Sequence, residues 1–519
     1  MKPVTHVSFD PDYQSSQPSN LTLLDSVVLV MSQSIPQHPG QRENIETRLF
    51  INGEFVPSLS GSKFDLYNPA TEELSASVYE AGPEDVDRAV AAAKAAFPAW
   101  SETGALQRAH LLEKWADRLE ACADEISYLD AICMGKPAYS DHFGRFMTQF
   151  VRVYAAKALD ITGESSLNTP GFVNVSLRQP FGVCGAIVPW NGPVVTMIFK
   201  AAAALVTGNT IVIKSSEKAP LSCLVAARCA QEAGFPPGVF NMLSGFGRPC
   251  GEAIARHMEI RKISFTGSTA TGRAIQKMAA ESNLKSVTLE LGGKSPLVIW
   301  DDADLSKAVP AAAMSILTNS GQVCVASSRV YVHEAIASQF LEQLKTTMTE
   351  MGKSGHPLIP GTTRGPQADA VQFARVQGYL DLAKQEGVSV YLGGAREGDK
   401  GYFVQPTILK DVPEESRLMK EEIFGPVVAV NTFTDEEDVM ARANDSEYGL
   451  YASVYTRDIS RALRAAKKFE AGTVGVNCTS PTMAFDMPFG GWKGSGEGRE
   501  LSRYATDYWT ELKSVLIAL

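Results

Sequence analysis

From Val183 onward the chain alternates short apolar runs with segments of helix length, and few folds accept that pattern. The runs are Gly185–Pro189, Thr210–Lys214, Val239–Ser244, Lys262–Thr266 and Ser286–Leu291, with helical stretches such as Val194–Leu205 and Leu221–Ala233 between them. A strand that is apolar throughout must be covered on both faces, and helices that return the chain across the sheet do this. A parallel sheet follows, and a dinucleotide-binding α/β domain is its natural expectation. A second region of the same kind opens at Leu297-Val298-Ile299-Trp300, continues through Arg329–Val332 and a helix over Ala335–Met351, and ends near Asn477. Upstream, Leu49-Phe50-Ile51 before Asn52-Gly53 reads as a strand entering a hairpin. One helix is expected from Gly82-Pro83 to about Phe97 and one from Leu106 to Leu129, with Leu111, Leu112, Trp115 and Leu119 on its buried face. Two α/β regions imply chemistry between them.

Charge and cysteine usage exclude several functions. The net charge of −10 argues against nucleic acid as the main partner. The eight cysteines show no CxxC spacing and the seven histidines no HxxxH or HExxH, so no metal site is expected. Unpaired cysteines in so long a chain suggest a reducing compartment. No run of about 18–20 apolar residues suggests a membrane span. Residues 1–43, rich in Ser, Gln and Pro, are expected as a disordered tail. Within it, the apolar run Leu21–Met31 starts too late and has too many acids around it to be a signal peptide. The cytoplasm is the default compartment.

Four short segments could carry chemistry. Residues 264–272 (SFTGSTATG) place glycines and hydroxyls between a strand and a helix, where free N–H groups could meet a pyrophosphate. On the residues alone, such a glycine pair is more often a plain strand–helix turn. Cys324 lies in a loop rich in Gly, Ser and Asn (NSGQVC), which suits a nucleophile, although a buried inert thiol is the commoner outcome. Glu290 sits in an otherwise apolar strand and is either a general base with a raised pKa, an edge residue, or a partner of Lys294. Asn191, after Pro189-Trp190, could donate to a developing oxyanion or simply form a turn.

Taken together, PWN at 189–191, KSSE at 214–217, FTGS at 265–268, LELGGK at 289–294, GQVC at 321–324, EEIFGPV at 421–427 and PFGGWKGSGEGRE at 488–500 resemble the aldehyde dehydrogenase superfamily, in its order, over about residues 48–517. The resemblance implies a Rossmann-like NAD-binding domain (44–160 and 182–291), an α/β catalytic domain (292–495) and a small β oligomerisation arm (161–181 and 496–519). It implies Cys324 as nucleophile and Glu290 as the base that activates the hydrolytic water. Asn191 would hold the oxyanion, and Lys200 and Glu500 would either pass a proton onward or form a structural salt bridge. NAD would be held by Lys214 and Glu217 at the adenine ribose, Gly267 and Ser268 at the pyrophosphate, and Glu422, Phe424 and Trp190 around the nicotinamide. Gly192, Thr318 and Phe489 would line the substrate tunnel, with Thr318 in the helix leading to Cys324. The sequence departs from the pattern at Ser215, where the family's usual residue is proline, and at Gly192 and Thr318, where many relatives carry aromatics. An aldehyde substrate, no nucleic acid or membrane partner, and a homodimer or homotetramer are expected. A coenzyme A-acylating enzyme or a non-catalytic protein on the same fold are the alternatives, and the presence of Glu290 favours hydrolysis over transfer to a thiol.

Overall fold

The structure, a computed structural model, describes residues 35–139 and 143–519. The expected tail therefore lies outside the described residues as far as residue 34, as does the run Leu21–Met31. Beyond it, the end of that expected tail is packed rather than disordered. His38 is buried, with its ring 5.9 Å from that of Tyr128 and 4.8 Å from that of Tyr139.

Asn52 and Gly53 take φ of 55° and 80°, the pair of left-handed residues a two-residue hairpin needs, and they join Leu49–Ile51 to Glu54–Val56. The hairpin adds to one edge of an eight-stranded sheet. In spatial order its strands are Gly496–Glu497, Ser286–Glu290, Lys262–Thr266, Val183–Ile187, Thr210–Ser215, Phe240–Ser244, Leu49–Ile51 and Glu54–Val56. The central five are parallel. The chain runs outward from Val183–Ile187 through two neighbours, then crosses to Lys262–Thr266 on its other side. That reversal is a topological switch point, and ligands of open α/β sheets bind outside the carboxyl ends of strands there.

A second sheet orders Ser389–Leu392, Thr407–Lys410, Val427–Phe433, Arg329–His333, Pro296–Ile299, Tyr451–Tyr455 and Thr473–Val476, parallel except for its first strand. A third, small sheet pairs Thr510–Ala518 with Phe172–Pro180 through nine residues, with Ser165–Ser166 beyond.

The segment read as one helix over Leu106–Leu129 is two, Ala105–Ala121 and Ala123–Met134, separated at Cys122 (φ −101°, ψ 10°). Apolar spacing does not register a one-residue turn of this kind. The second helix keeps Ile126 and Leu129 buried after the change of direction.

Candidate active site

The carboxyl ends of the first sheet meet the amino ends of strands from the second. After Val183–Ile187 come Trp190 and Asn191; Lys214 lies near the end of Thr210–Ser215, Gly267 and Ser268 follow Lys262–Thr266, and Glu290 closes Ser286–Glu290. Facing them, Cys324 precedes Arg329–His333, and Glu422 and Phe424 precede Val427–Phe433. Cross-links hold the two rims together. Asn191 Nδ2 donates to the Gln322 carbonyl at 3.0 Å, and Asn319 Nδ2 donates to the Asn191 carbonyl at 3.2 Å. The Gly293 N–H donates to Glu422 Oε1 at 3.0 Å, and the Trp190 and Phe424 rings meet edge to face at 5.5 Å. Gly293 is required here: a Cβ would stand 2.3 Å from the carbonyl oxygen of Cys324.

The loop before Cys324 is bent by three consecutive residues of positive φ, Asn319 (48°), Ser320 (55°) and Gly321 (74°). Two non-glycine residues in that region store strain that the surroundings must hold. Buried Gln322 does much of this, with Nε2 donating to the Asn319 carbonyl at 2.9 Å and Oε1 accepting from the Ala368 N–H at 2.9 Å. Cys324 itself is half-buried, unlike the five fully buried cysteines. Burial, then the Glu422 and Glu290 carboxylates, push its thiol up to about 12, against the backbone N–H groups of Val325 and Cys324 that favour the anion. At neutral pH the resting group is a thiol, so a base must remove its proton before it can attack.

Of the two carboxylates within electrostatic reach, Glu422 is held by the Gly293 N–H, which leaves Glu290 as the base. Its strand is flanked by Lys262–Thr266 and Gly496–Glu497, so it is not an edge residue, and its buried Oε2 has no hydrogen-bond partner. Lys294 does not pair with it; that amine is also without a hydrogen-bond partner, and burial brings it down to about 7. Burial first, and the Glu500 carboxylate second, raise the Glu290 carboxyl well above the usual range, while Lys200 and Arg499 oppose. Lys200, fully buried, forms a 2.5 Å ion pair with Glu500, whose backbone exchanges both hydrogen bonds with Phe489 at 2.7 Å. Glu500 therefore couples Lys200 to Glu290.

At the first sheet, Lys214 is buried, its amine lowered by burial, and donates to the Ser215 carbonyl at 2.9 Å with Glu217 at 3.8 Å. At Ser215 the hydroxyl is satisfied by donating to the Leu243 carbonyl at 3.2 Å. Ser268 caps the helix Thr269–Glu281 by accepting from the Thr271 N–H, and the Gly267 N–H donates to the Glu290 carbonyl at 3.0 Å. A buried cation with a carboxylate beside it, and a helix N-terminus at the switch point, suit a dinucleotide with its ribose and pyrophosphate.

Thr318 differs from expectation. The helix Leu305–Leu317 ends one residue earlier, and Thr318 is its C-cap, with its hydroxyl donating to the Met314 carbonyl at 2.7 Å. Gly192 has an extended φ of −152° and begins the helix Pro193–Val206. Phe489 is buried in the core against which Trp190, Val323 and Cys324 pack. Sequence reasoning missed an aromatic cluster on the same core. Phe150 lies 5.0 Å from Phe146, 4.7 Å from Phe199 and 4.8 Å from Phe485. The i, i+4 spacing of Phe146 and Phe150, and Phe485 four residues ahead of Phe489, were the available signals.

Two α/β sheets whose strand ends face each other around a cysteine, a buried glutamate and a dinucleotide cradle define an oxidoreductase-type site. The chain belongs to the aldehyde dehydrogenase family, whose model matches residues 55–515. It is similar to the mitochondrial aldehyde dehydrogenase of Leishmania tarentolae, 44% identical over 92% of this chain and 95% of that one. The cytosolic aldehyde dehydrogenase 1 of Rattus norvegicus is 41% identical over 94% of this chain and 99% of its own length. Among solved structures, the NAD+ complex of aldehyde dehydrogenase from Bacillus cereus superposes with a TM-score of 0.89, at 44% identity over 91% of this chain and 97% of that one.

Proposed function

We propose that this chain oxidises an aldehyde to a carboxylic acid with NAD, through a thioester on Cys324 that a Glu290-activated water hydrolyses. The observation that carries the reading is the meeting of Cys324 and a buried, under-bonded Glu290 across the two rims. Glu290, ionised, takes the thiol proton, directly or through water, and the sulfur adds to the aldehyde carbonyl to give a thiohemiacetal. The Asn191 amide, freed from the Gln322 carbonyl, and the Cys324 N–H orient and stabilise the oxyanion. NAD, when bound, supplies the hydride acceptor. Collapse of the oxyanion leaves a thioester on Cys324, and Glu290 withdraws a proton from the attacking water. Glu500 and Lys200 carry each proton away from Glu290, the thiol's before the water attacks and the water's after it. Lys214 and Glu217 hold the adenine ribose, Gly267 and Ser268 the pyrophosphate, and Glu422, Phe424 and Trp190 the nicotinamide end.

Cofactor choice tests this cradle. Glu217 accepts from a ribose 2′-hydroxyl and repels a 2′-phosphate, so NAD is preferred over NADP and Glu217→Gln narrows the gap. Equal kcat/KM for the two cofactors in the wild type would contradict this.

Substrate choice follows from Gly192, Thr318 and Phe489. A Cβ at Gly192 meets Val195 Cγ1 at 3.1 Å, so that side chain must give by a few tenths of an ångström, while the φ of −152° suits any residue and lets Gly192→Phe test tunnel width. The expected result is a selective loss of kcat/KM for a ring-bearing aldehyde relative to propanal, on the order of 10–200-fold for a lost pocket of this kind. Equal losses on both substrates would mean that Phe489 or Met197 refills the space and that Gly192 does not set the width.

The domain division at 44–160 with 182–291, 292–495, and 161–181 with 496–519 belongs to the same proposal, as does a cytoplasmic location. No helix among the described residues is long and apolar enough to cross a membrane. The strand Thr510–Ala518 pairs on one side only and leaves Leu512, Leu516 and Ile517 exposed. Such an edge is covered by a second copy in a homodimer or homotetramer. Light scattering at micromolar concentration is expected to show a dimer or larger, and a monomer would contradict it.

A further inference from the structure

Glu500 couples Lys200 to Glu290, and the chain just after it is held in an unfavourable shape. Leu501 has φ 63° and ψ 167°, and Ser502 has φ 52°. The Leu501 angles lie in a region that glycine alone enters readily, so a leucine there is strained and persists only where its neighbours hold it. Leu501 is 1% exposed, and its N–H donates to the hydroxyl of Tyr154 at 3.1 Å. Tyr154 is fully buried on the helix Phe143–Ala156, which packs against Pro193–Val206, the helix that carries Lys200. Two neighbouring helices therefore reach two consecutive residues of one strained segment.

We infer that Tyr154 is a positioning residue, whose hydroxyl fixes the strained Leu501 and thereby keeps the Glu500 carboxylate on Lys200 and beside Glu290. The inference rests on the proposed role of Glu290 as the base. Three contacts fix the segment, each at a different group. Lys200 holds the Glu500 carboxylate at 2.5 Å, Phe489 holds the Glu500 N–H and carbonyl at 2.7 Å, and Tyr154 holds the Leu501 N–H. The same stretch of chain covers Glu290. Gly496 pairs with Glu290 in the first sheet, and a Cβ on Gly490 would stand 2.9 Å from Glu290 Oε1. Without the Tyr154 hydroxyl, a buried N–H loses its partner and the costly backbone angles lose the contact that holds them. Leu501 then relaxes toward negative φ. The peptide group it shares with Glu500 turns with it, and the Glu500 carboxylate leaves Lys200.

Tyr154 itself does not titrate. Burial, and then the Glu500 carboxylate, push its phenol far above the neutral range, so the hydroxyl keeps its proton. The titratable groups that face Glu500 are Lys200, Lys262, Glu290 and Tyr154; those that face Glu290 are Glu500, Lys200, Arg499 and Cys324. Glu500 raises the Glu290 carboxyl by more than Lys200 or Arg499 lowers it. Withdrawal of Glu500 therefore lets Glu290 ionise at lower pH, even if Lys200 loses its influence as well. The same withdrawal breaks the path by which Glu290 gives up its proton. Turnover falls although the base is ionised.

Tyr154→Phe removes the hydroxyl and keeps the ring, so the packing of the helix is preserved. Crystal structures of the wild type and the variant read the positioning with no turnover required. In the variant, Leu501 is expected at negative φ and Glu500 out of hydrogen-bond reach of Lys200. In steady state, kcat is expected to fall by roughly 10–100-fold, the cost of a misplaced group away from the chemistry, with KM for NAD unchanged. The rising limb of the kcat–pH profile is expected to move to lower pH. In a Glu500→Gln background, Tyr154→Phe should add nothing to either change, because it acts through that carboxylate. An intact Glu500–Lys200 pair in the variant structure, a pH limb that stays in place, or a full further loss in the Glu500→Gln background would each overturn the inference. A wild type that oxidises no aldehyde would instead remove the role proposed for Glu290, and the crystallographic comparison would still decide whether Tyr154 holds Glu500.

Discussion

Cys324→Ala is expected to lower aldehyde oxidation by roughly 10⁴-fold or more while NAD affinity stays within about twofold of wild type. The magnitude follows from covalent catalysis. Without a nucleophile there is no thiohemiacetal, and no other thiol sits on the strained loop that Asn319 to Gly321 bend toward the Asn191 amide. NAD affinity is spared because Lys214, Glu217, Gly267 and Ser268 lie on the first sheet, across the cleft from the cysteine. Steady-state turnover and a fluorescence titration with NAD, on the same preparation, separate the two quantities. Turnover above a few per cent of wild type would mean that the nucleophile lies elsewhere.

Glu290→Gln is expected to lower kcat by roughly 10²–10⁴-fold, the usual contribution of a positioned general base. The substitution keeps the volume and removes the proton acceptor. Because Glu290 is raised by burial and by Glu500, the wild type should gain activity as pH rises through that raised value, and the variant should lose this limb. The direction is fixed by the role: a base works ionised, and a raised pKa delays ionisation to higher pH. Rapid mixing is expected to show the first turnover of NADH slowed together with the steady state in the variant, because Glu290 serves both the thiol and the water. A variant with wild-type kcat and an unchanged pH profile would remove Glu290 from the mechanism.

The parallel sheet was readable in the apolar runs because each strand is buried on both faces. Lys262–Thr266 and Leu221–Ala233 fall at the residues their pattern predicts. The switch-point rule also reaches Asn191, Ser268 and Glu290, which end or follow strands of the first sheet. It does not reach Cys324. That residue precedes its strand, and its place opposite Glu290 depends on the second sheet presenting its amino ends to the first, a relation between distant segments that no local pattern records. Its Gly-, Ser- and Asn-rich loop made Cys324 a candidate, and the motifs of the family resemblance chose it over a buried inert thiol. The break at Cys122 and the end of the helix before Thr318 were missed because a single capping turn leaves apolar periodicity nearly intact.

The central claim is that a thioester on Cys324 lies on the reaction path. The direct measurement is rapid-quench mass spectrometry of the wild type in its first turnover with NAD and an aldehyde substrate. The account predicts a mass increase equal to the acyl group, confined to the peptide that carries Cys324, dependent on NAD and removed by hydroxylamine. An adduct on another residue, or NADH production with no acylated Cys324 at any time, would contradict it.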